Sequence, residues 1–153
     1  MKKKHKLANI KTPIRTNPSL FLIFLYFTHV WIKAYLKLSV YKGCKNPKVL
    51  GMENGQILDS QITASSQFDV NHGPTNARLN FKAHGGRTGA WSSRRNDVNQ
   101  WLQIDFNYPA TIDEILTQGR QSTNQWVKTY TVSYSNDGVT FNPYRHHGLT
   151  KVN

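Results

Sequence analysis

The chain has 153 residues, enough for one domain with its own core, and a formal net charge of +12. That charge is concentrated at one end: residues 1–43 carry nine Lys or Arg and no acid, so the other eleven bases face all eight acids and leave residues 44–153 at only +3. A groove-reading helix or finger signature does not accompany the excess, which argues against nucleic acid as the partner. A lone cysteine, Cys44, excludes an intrachain disulfide and a cysteine-based metal site within these residues.

In chain order, the first element is the basic stretch up to Pro18, followed by the apolar run Leu20 to Phe27, extended less cleanly to Ile32. A positive region ahead of a short apolar core reads as a secretory signal. The run is shorter than the ~20 residues that span a bilayer. Its basic region is long, a small-residue cleavage site does not follow, and Lys33, Lys37 and Lys42 interrupt any continuation. Three readings of 1–43 stay open: an atypical signal peptide, an uncleaved signal anchor, or residues translated from an incorrect gene model. The first two place the domain that follows, 44–153, outside the cell.

From Cys44 onward the pattern is all-β. Trp101 to Phe106 alternates apolar with Trp, Gln and Asp, the period of a half-buried strand. Ile112 to Thr117 is a second short β-like run. Thr129 to Tyr134 repeats the alternation, with Tyr130, Val132 and Tyr134 on one face and Thr129, Thr131 and Ser133 on the other. Ser135-Asn136-Asp137-Gly138 then predicts a type I′ hairpin turn, with the strand resuming over Val139 to Phe141. Loops rich in Gly, Asn, Ser and Arg occupy 67–76 and 82–99, and no stretch after Gly43 keeps a helical period. Short strands joined by polar turns indicate a sandwich or barrel.

Several segments, in order, resemble one family. Leu50-Gly51-Met52-Glu53-Asn54-Gly55 and Gln61-Ile62-Thr63-Ala64-Ser65-Ser66 open it. Ala77-Arg78-Leu79-Asn80, Ala90-Trp91 and Gln100-Trp101-Leu102-Gln103-Ile104-Asp105 continue it, and Thr117-Gln118-Gly119, Trp126-Val127-Lys128-Thr129-Tyr130 and Tyr134-Ser135-Asn136-Asp137-Gly138 complete it. The chain resembles the discoidin (coagulation-factor C-type) domain. The resemblance implies a jelly-roll-like antiparallel β-sandwich with three ligand-binding loops at one end. It also implies recognition of phospholipid, glycans or proteins at cell surfaces, without catalysis.

Two departures from the family carry expectations. His72 stands where many members have an aromatic, so the first loop takes a different shape. The chain stops at Asn153, before the further core strands and the closing cysteine that would pair with Cys44. On that reading the domain is C-terminally incomplete and its sheets are left with open edges. A non-functional fragment of a larger protein is therefore one reading of its role.

By position in the family, the ligand-contact residues are Phe68 and Val70 in the first loop, His84 and Arg87 in the second, and Arg120, Asn124 and Trp126 in the third. Trp126 is expected to anchor the base of its loop. Trp91 and Trp101 read as core, and Asp105 as a structural group with Arg78 as a candidate partner. The polar rim of Arg, Asn and His beside an aromatic suits sugar hydroxyls or a partner's carboxylate. Cell-surface glycan or protein is thus the favoured ligand, with anionic phospholipid the alternative. No nucleophile elbow, His-Glu-x-x-His run or phosphate loop occurs, and adjacent His146 and His147 point to opposite faces of a strand, so no enzyme and no cofactor is expected. A structural calcium is compatible with the family, but the sequence assigns no ligands to it.

Overall fold

A computed structural model describes residues 8–14, 20–26, 39–40, 48–110, 112–121, 123–127, 129–146 and 149–150. Side chains are described from Val49 onward, except at a few later positions. Cys44 and His147 lie outside the described residues.

The alternating run at the centre of the sequence forms β6 (Gln100–Asp105). Its Gln100, Leu102 and Ile104 are buried, while Trp101, Gln103 and Asp105 are half-buried. It belongs to a five-stranded antiparallel sheet with order β5-β6-β2-β8-β9. The other members are β2 (Leu20–Tyr26), β5 (Ile62–Ala64), β8 (Thr129–Ser135) and β9 (Asn142–Pro143). A four-stranded sheet has order β1-β7-β3-β4, from β1 (Ala8–Ile14), β3 (Ser39–Val40), β4 (Lys48–Val49) and β7 (Ile112–Thr117). A small ladder joins β10 (Arg145–His146) to β11 (Leu149–Thr150).

Leu102, Ile104, Tyr130 and Val132 of one sheet and Ile112 and Ile115 of the other form one buried cluster with Trp91 and Phe106. The result is an all-β sandwich. Helical structure among the described residues is confined to three short 3-10 turns, at Asp59–Gln61, Val70–His72 and Pro74–Ala77.

β8 departs from the expected half-buried strand. Thr131, Ser133 and Ser135 are buried as well as Tyr130 and Val132, because the strand lies inside its sheet and is covered on both faces. β2 lies between β6 and β8, and β7 has β1 on one side and β3 on the other.

The turn after β8 also corrects the sequence reading. Neither Asn136 nor Asp137 has a positive φ, and pairing resumes only at Asn142–Pro143, so 139–141 is loop and the turn is not type I′. Side chains close it instead. Asp137 Oδ1 accepts from the Val139 and Thr140 amides at 2.9 and 2.8 Å, and Ser135 Oγ accepts from Gly138 N at 3.0 Å. An aspartate that gathers amides two and three residues ahead holds a wider loop than a type I′ turn allows.

Asp105 does not pair with Arg78. Arg78 is drawn to the Asp59 carboxylate and the Met52 carbonyl, whereas Asp105 Oδ1 caps its own turn through Asn107 N at 2.7 Å. Asn107 itself sits at φ 59°, a conformation asparagine tolerates better than most residues.

Candidate ligand-binding loops

β6 and β8 both run antiparallel to β2, so their N-terminal ends lie at the same end of the sandwich. The loops that precede them, 67–99 and 120–128, therefore emerge together. β5 leads into the first loop from that end, and β7 leads into the third.

Beneath the loops lies a buried polar base. Trp91 is fully buried, and its indole Nε1 donates to Ser66 O at 2.9 Å. Gln100 Oε1 accepts from the Ser65 and Ser66 hydroxyls at 2.9 and 2.6 Å, and its amide donates to Asp97 Oδ1 at 2.7 Å. That bond, followed by one from the Asn99 amide, holds the Asp97 carboxyl below the usual carboxylate range. Satisfied buried groups of this kind fix the roots of the loops in one geometry.

The first loop is organised by Asp69. Its carboxylate accepts from Asn71 N at 2.8 Å, capping the 3-10 turn Val70–His72, and meets His72 Nδ1 at 2.6 Å. The His72 hydrogen bond is the main reason that the Asp69 carboxyl is held below its ordinary value. His72 is buried, with its ring edge-on to Phe68 at 5.4 Å between centroids. In place of an exposed aromatic, this position holds a buried, hydrogen-bonded ring. Phe68 and Val70 are left outside, 51% and 82% exposed.

The second loop turns through Gly85 and Gly86 at φ 54° and 80°, closed by His84 N to Arg87 O at 3.1 Å and Arg87 N to His84 O at 2.9 Å. Two successive positive φ values in a two-residue connection are the type I′ arrangement expected elsewhere in the sequence, supplied here by Gly-Gly. Arg87 then reaches back across the first loop. Its Nε donates to Asn76 Oδ1 at 2.8 Å and a terminal nitrogen to Thr75 Oγ1 at 2.6 Å, with the guanidinium 4.6 Å over the Phe81 ring. Thr88 N adds a bond to Asn71 O at 2.9 Å.

The third loop closes on itself. Arg120 N donates to Gln125 O at 2.8 Å, and the guanidinium to Gln125 Oε1 at 3.1 Å. The closure needs Gly119: a Cβ there would stand 3.1 Å from Gln125 O and 3.3 Å from Trp126 Cβ. Gln121 Oε1 accepts from Ala83 N at 3.3 Å, joining this loop to the second.

All seven residues expected at the ligand surface thus fall on three loops knitted side by side, but their chemistry divides. Arg87 and Arg120 spend donors on loop structure, and His84 turns its Nδ1 to Lys82 O at 2.8 Å. Phe68, Val70, Asn124 and Trp126 are exposed, and Trp126, at 45%, presents more surface than a basal anchor would.

Sequence reasoning missed Lys82, Arg94 and Arg95, which stand exposed in the second loop region. It also missed a pocket of about 100 Å³ lined by Phe68, Ser92, Ser93 and Asn96. The Ser92 hydroxyl is buried there without a hydrogen-bond partner. The run Ser92-Ser93-Arg94-Arg95 carried the charge signal, but nothing in its spacing told loop rim from loop base.

The F5/8 type C domain profile matches residues 61–153. The chain belongs to the F5/8 type C domain family. It is 44% identical over 108 residues to coagulation factor V of Pseudonaja textilis, an alignment covering 67% of this chain and 7% of that protein. Coagulation factor V of Homo sapiens is 45% identical over 109 residues, covering 67% of this chain and 5% of that protein. Coagulation factor VIII of Mus musculus is 37% identical over 139 residues, covering 85% of this chain and 6% of that protein. The chain thus spans between 5% and 7% of the length of these relatives. No solved structure matches the chain.

Among the described residues, no group of three His, Cys, Asp or Glu is placed to hold a metal ion, and no helix is long and apolar enough to cross a membrane.

Proposed function

We propose that the three-loop end is a non-catalytic extracellular docking surface, and that its best-suited ligand is an anionic phospholipid surface. The observation that carries this reading is the exposure of Phe68, Val70 and Trp126 on the same end as Lys82, Arg94 and Arg95. Peripheral membrane attachment needs two signals together, apolar surface to bury among acyl chains and cations for the headgroups. Each apolar side chain contributes roughly 1–2 kcal/mol on leaving water, and each cation about 1 kcal/mol near an anionic leaflet. Six such groups supply on the order of 6 kcal/mol or more before the cost of association, enough for reversible attachment.

This ordering reverses the preference for glycan or protein drawn from sequence. That preference used Arg87 and Arg120 as open forks of donors, and both side chains are engaged with neighbouring loop residues.

A second reading keeps one specific support. The pocket beside Phe68 carries the unpartnered Ser92 hydroxyl, which suits a small polar group such as a sugar hydroxyl or a carboxylate beside an aromatic wall.

Vesicle co-sedimentation of the full chain separates the two. Binding to vesicles of phosphatidylserine in phosphatidylcholine, falling with added salt and absent on phosphatidylcholine alone, is the expected result. Equal failure on both vesicle types, with Ser92-dependent binding to a glycan array, would move the function to the second reading.

A further inference from the structure

We propose that Asn54 is a modification site, whose side-chain amide, held beside the Gly55 nitrogen in an exposed turn, is converted to aspartate and isoaspartate as the folded protein ages. The reacting groups all belong to this chain, and water is the co-reactant. The inference is independent of what the loops bind.

Asn54-Gly55 is the one Asn-Gly pair in the sequence, and glycine puts no side chain beside its own amide nitrogen to shield it. The fold presents this pair to solvent. Asn54 and Gly55 are both exposed, and a Cβ placed on Gly55 would meet nothing within 4 Å. Gln56 N donates to Asn54 Oδ1 at 3.1 Å. That Asx turn folds the side-chain carbonyl back over the Gly55 peptide unit, and the donated hydrogen draws electron density from Asn54 Cγ. The turn is otherwise closed by Ile57 N donating to Gly51 O at 3.2 Å. Its bonds thus come from Gln56 and Ile57, and neither Gly55 N nor Asn54 Nδ2 is used in them.

The chemistry balances with water alone. Gly55 N attacks Asn54 Cγ, its proton passes to the departing Nδ2 group, and ammonia leaves behind a succinimide ring. Water then opens the ring. Attack at Cγ gives aspartate, and attack at the main-chain carbonyl leaves the chain running through the side chain as isoaspartate.

The comparable pair on the other side of the sequence is guarded. Asp137-Gly138 could close the same ring, but Gly138 N donates to Ser135 Oγ at 3.0 Å. Asp137 Oδ1 accepts from the Val139 and Thr140 amides at 2.9 and 2.8 Å, which keeps its carboxyl ionised and a poor target for a nucleophile. Asn76 is guarded differently: it is buried, its Nδ2 donates to Asn71 O at 2.7 Å, and Ala77 follows it.

The turn around Asn54 has no slack for the product. A Cβ on Gly51 would collide with Gln56 Cβ, and Met52 and Ile57 on either side are buried in the core. Isoaspartate lengthens the main chain between them by one carbon. Either product also sets a new carboxylate next to Glu53, whose own carboxylate accepts from Asn80 Nδ2 at 2.7 Å.

The test ages the full chain at mildly alkaline pH, below its melting temperature, and maps its peptides by mass spectrometry. Isoaspartyl methyltransferase with labelled methyl donor reports isoaspartate. Asn54 should lose its amide ahead of every other asparagine, with label on the peptide that holds it and none on the peptide that holds Asp137. Asn54→Gln should abolish that label, because the longer side chain would have to close a larger ring. The aged chain should melt about 5 °C below the fresh one, whereas aged and fresh Asn54→Gln should melt together. Retention of Asn54 while another asparagine converts, or no conversion at all, would overturn the site. Equal label at Asp137 would overturn the guarding, and isoaspartate at residue 54 with an unchanged melt would overturn the strain argument.

Discussion

Val70 and Val139 are almost equally exposed, at 82% and 84%, but they belong to opposite ends of the sandwich. Around Val70 the chain spends hydrogen bonds between loops: Arg87 to Asn76 and Thr75, Thr88 to Asn71, Ala83 to Gln121. Around Val139 the bonds are local: Asp137 Oδ1 and Ser135 Oγ accept from amides two and three residues ahead. The first end is a platform on which several side chains hold a fixed relation to one another. The second is a single turn whose exposed valine has a carboxylate two residues away. Exposure by itself does not distinguish the two ends; cross-loop bracing and neighbouring cations do.

The sharpest way to break this contrast is to remove the apolar contacts of the first end. Phe68→Ala, Val70→Ala and Trp126→Ala together should weaken binding to phosphatidylserine vesicles by about 100-fold or more, at roughly 1–2 kcal/mol each. Val139→Ala should leave co-sedimentation unchanged. If Val139→Ala weakens binding as much as Val70→Ala does, the two ends are equivalent and the loop platform is not the ligand surface.

Next in size is the charge term. Arg94→Ala with Arg95→Ala should lower affinity for the same vesicles roughly ten- to thirtyfold at low salt, at about 1 kcal/mol per cation. The difference from the unaltered chain should shrink as salt is raised. A salt-independent deficit would mean that these arginines pack rather than attract.

Arg87→Ala probes the bracing. It strands Asn76 Oδ1, uncovers the Phe81 face and should cost about 2 kcal/mol in a denaturant melt. Binding should fall with it, because the first two loops lose their brace. Arg87→Lys, which cannot reproduce the paired donation, should recover little of the loss.

The smallest effect is acid sensitivity, and it occurs at both ends. The Asp69 carboxyl is held low chiefly by His72, and that of Asp137 is held well below the usual carboxylate range by the Thr140 and Val139 amides. A carboxyl that is more acidic in the folded than in the unfolded chain contributes stability above its unfolded value near 3.8 and loses it as pH falls through the folded value. Melts from pH 5 down to pH 2 should therefore decline less steeply for Asp137→Asn than for the unaltered chain. Asp69→Asn should flatten the same curve and also disturb vesicle binding, since it loosens the loop that carries Phe68 and Val70. A parallel decline in all three proteins would place the acid-labile groups elsewhere.

Much of the framework was legible before any coordinates. Period-two alternation located β6 and β8 to within a residue or so, and a short β-like run located β7. Ordered motifs from Leu50 to Gly138 gave the family and the approximate position of the three loops. Turn type was less legible. Asp-Gly and Gly-Gly are both compatible with positive φ, and the choice fell to side chains that sequence cannot place: Ser135 and Asp137 drew the amides of one turn into a wider loop, and Gly85-Gly86 took the tight one.

The sequence by itself determined where β6, β7 and β8 run, that the described core would be all-β, and where the long polar loops fall. Those features follow from local periodicity and from residues that permit particular backbone angles. Only the tertiary structure decided which arginines remain exposed and which are consumed as braces, since that depends on distances between loops far apart in the chain.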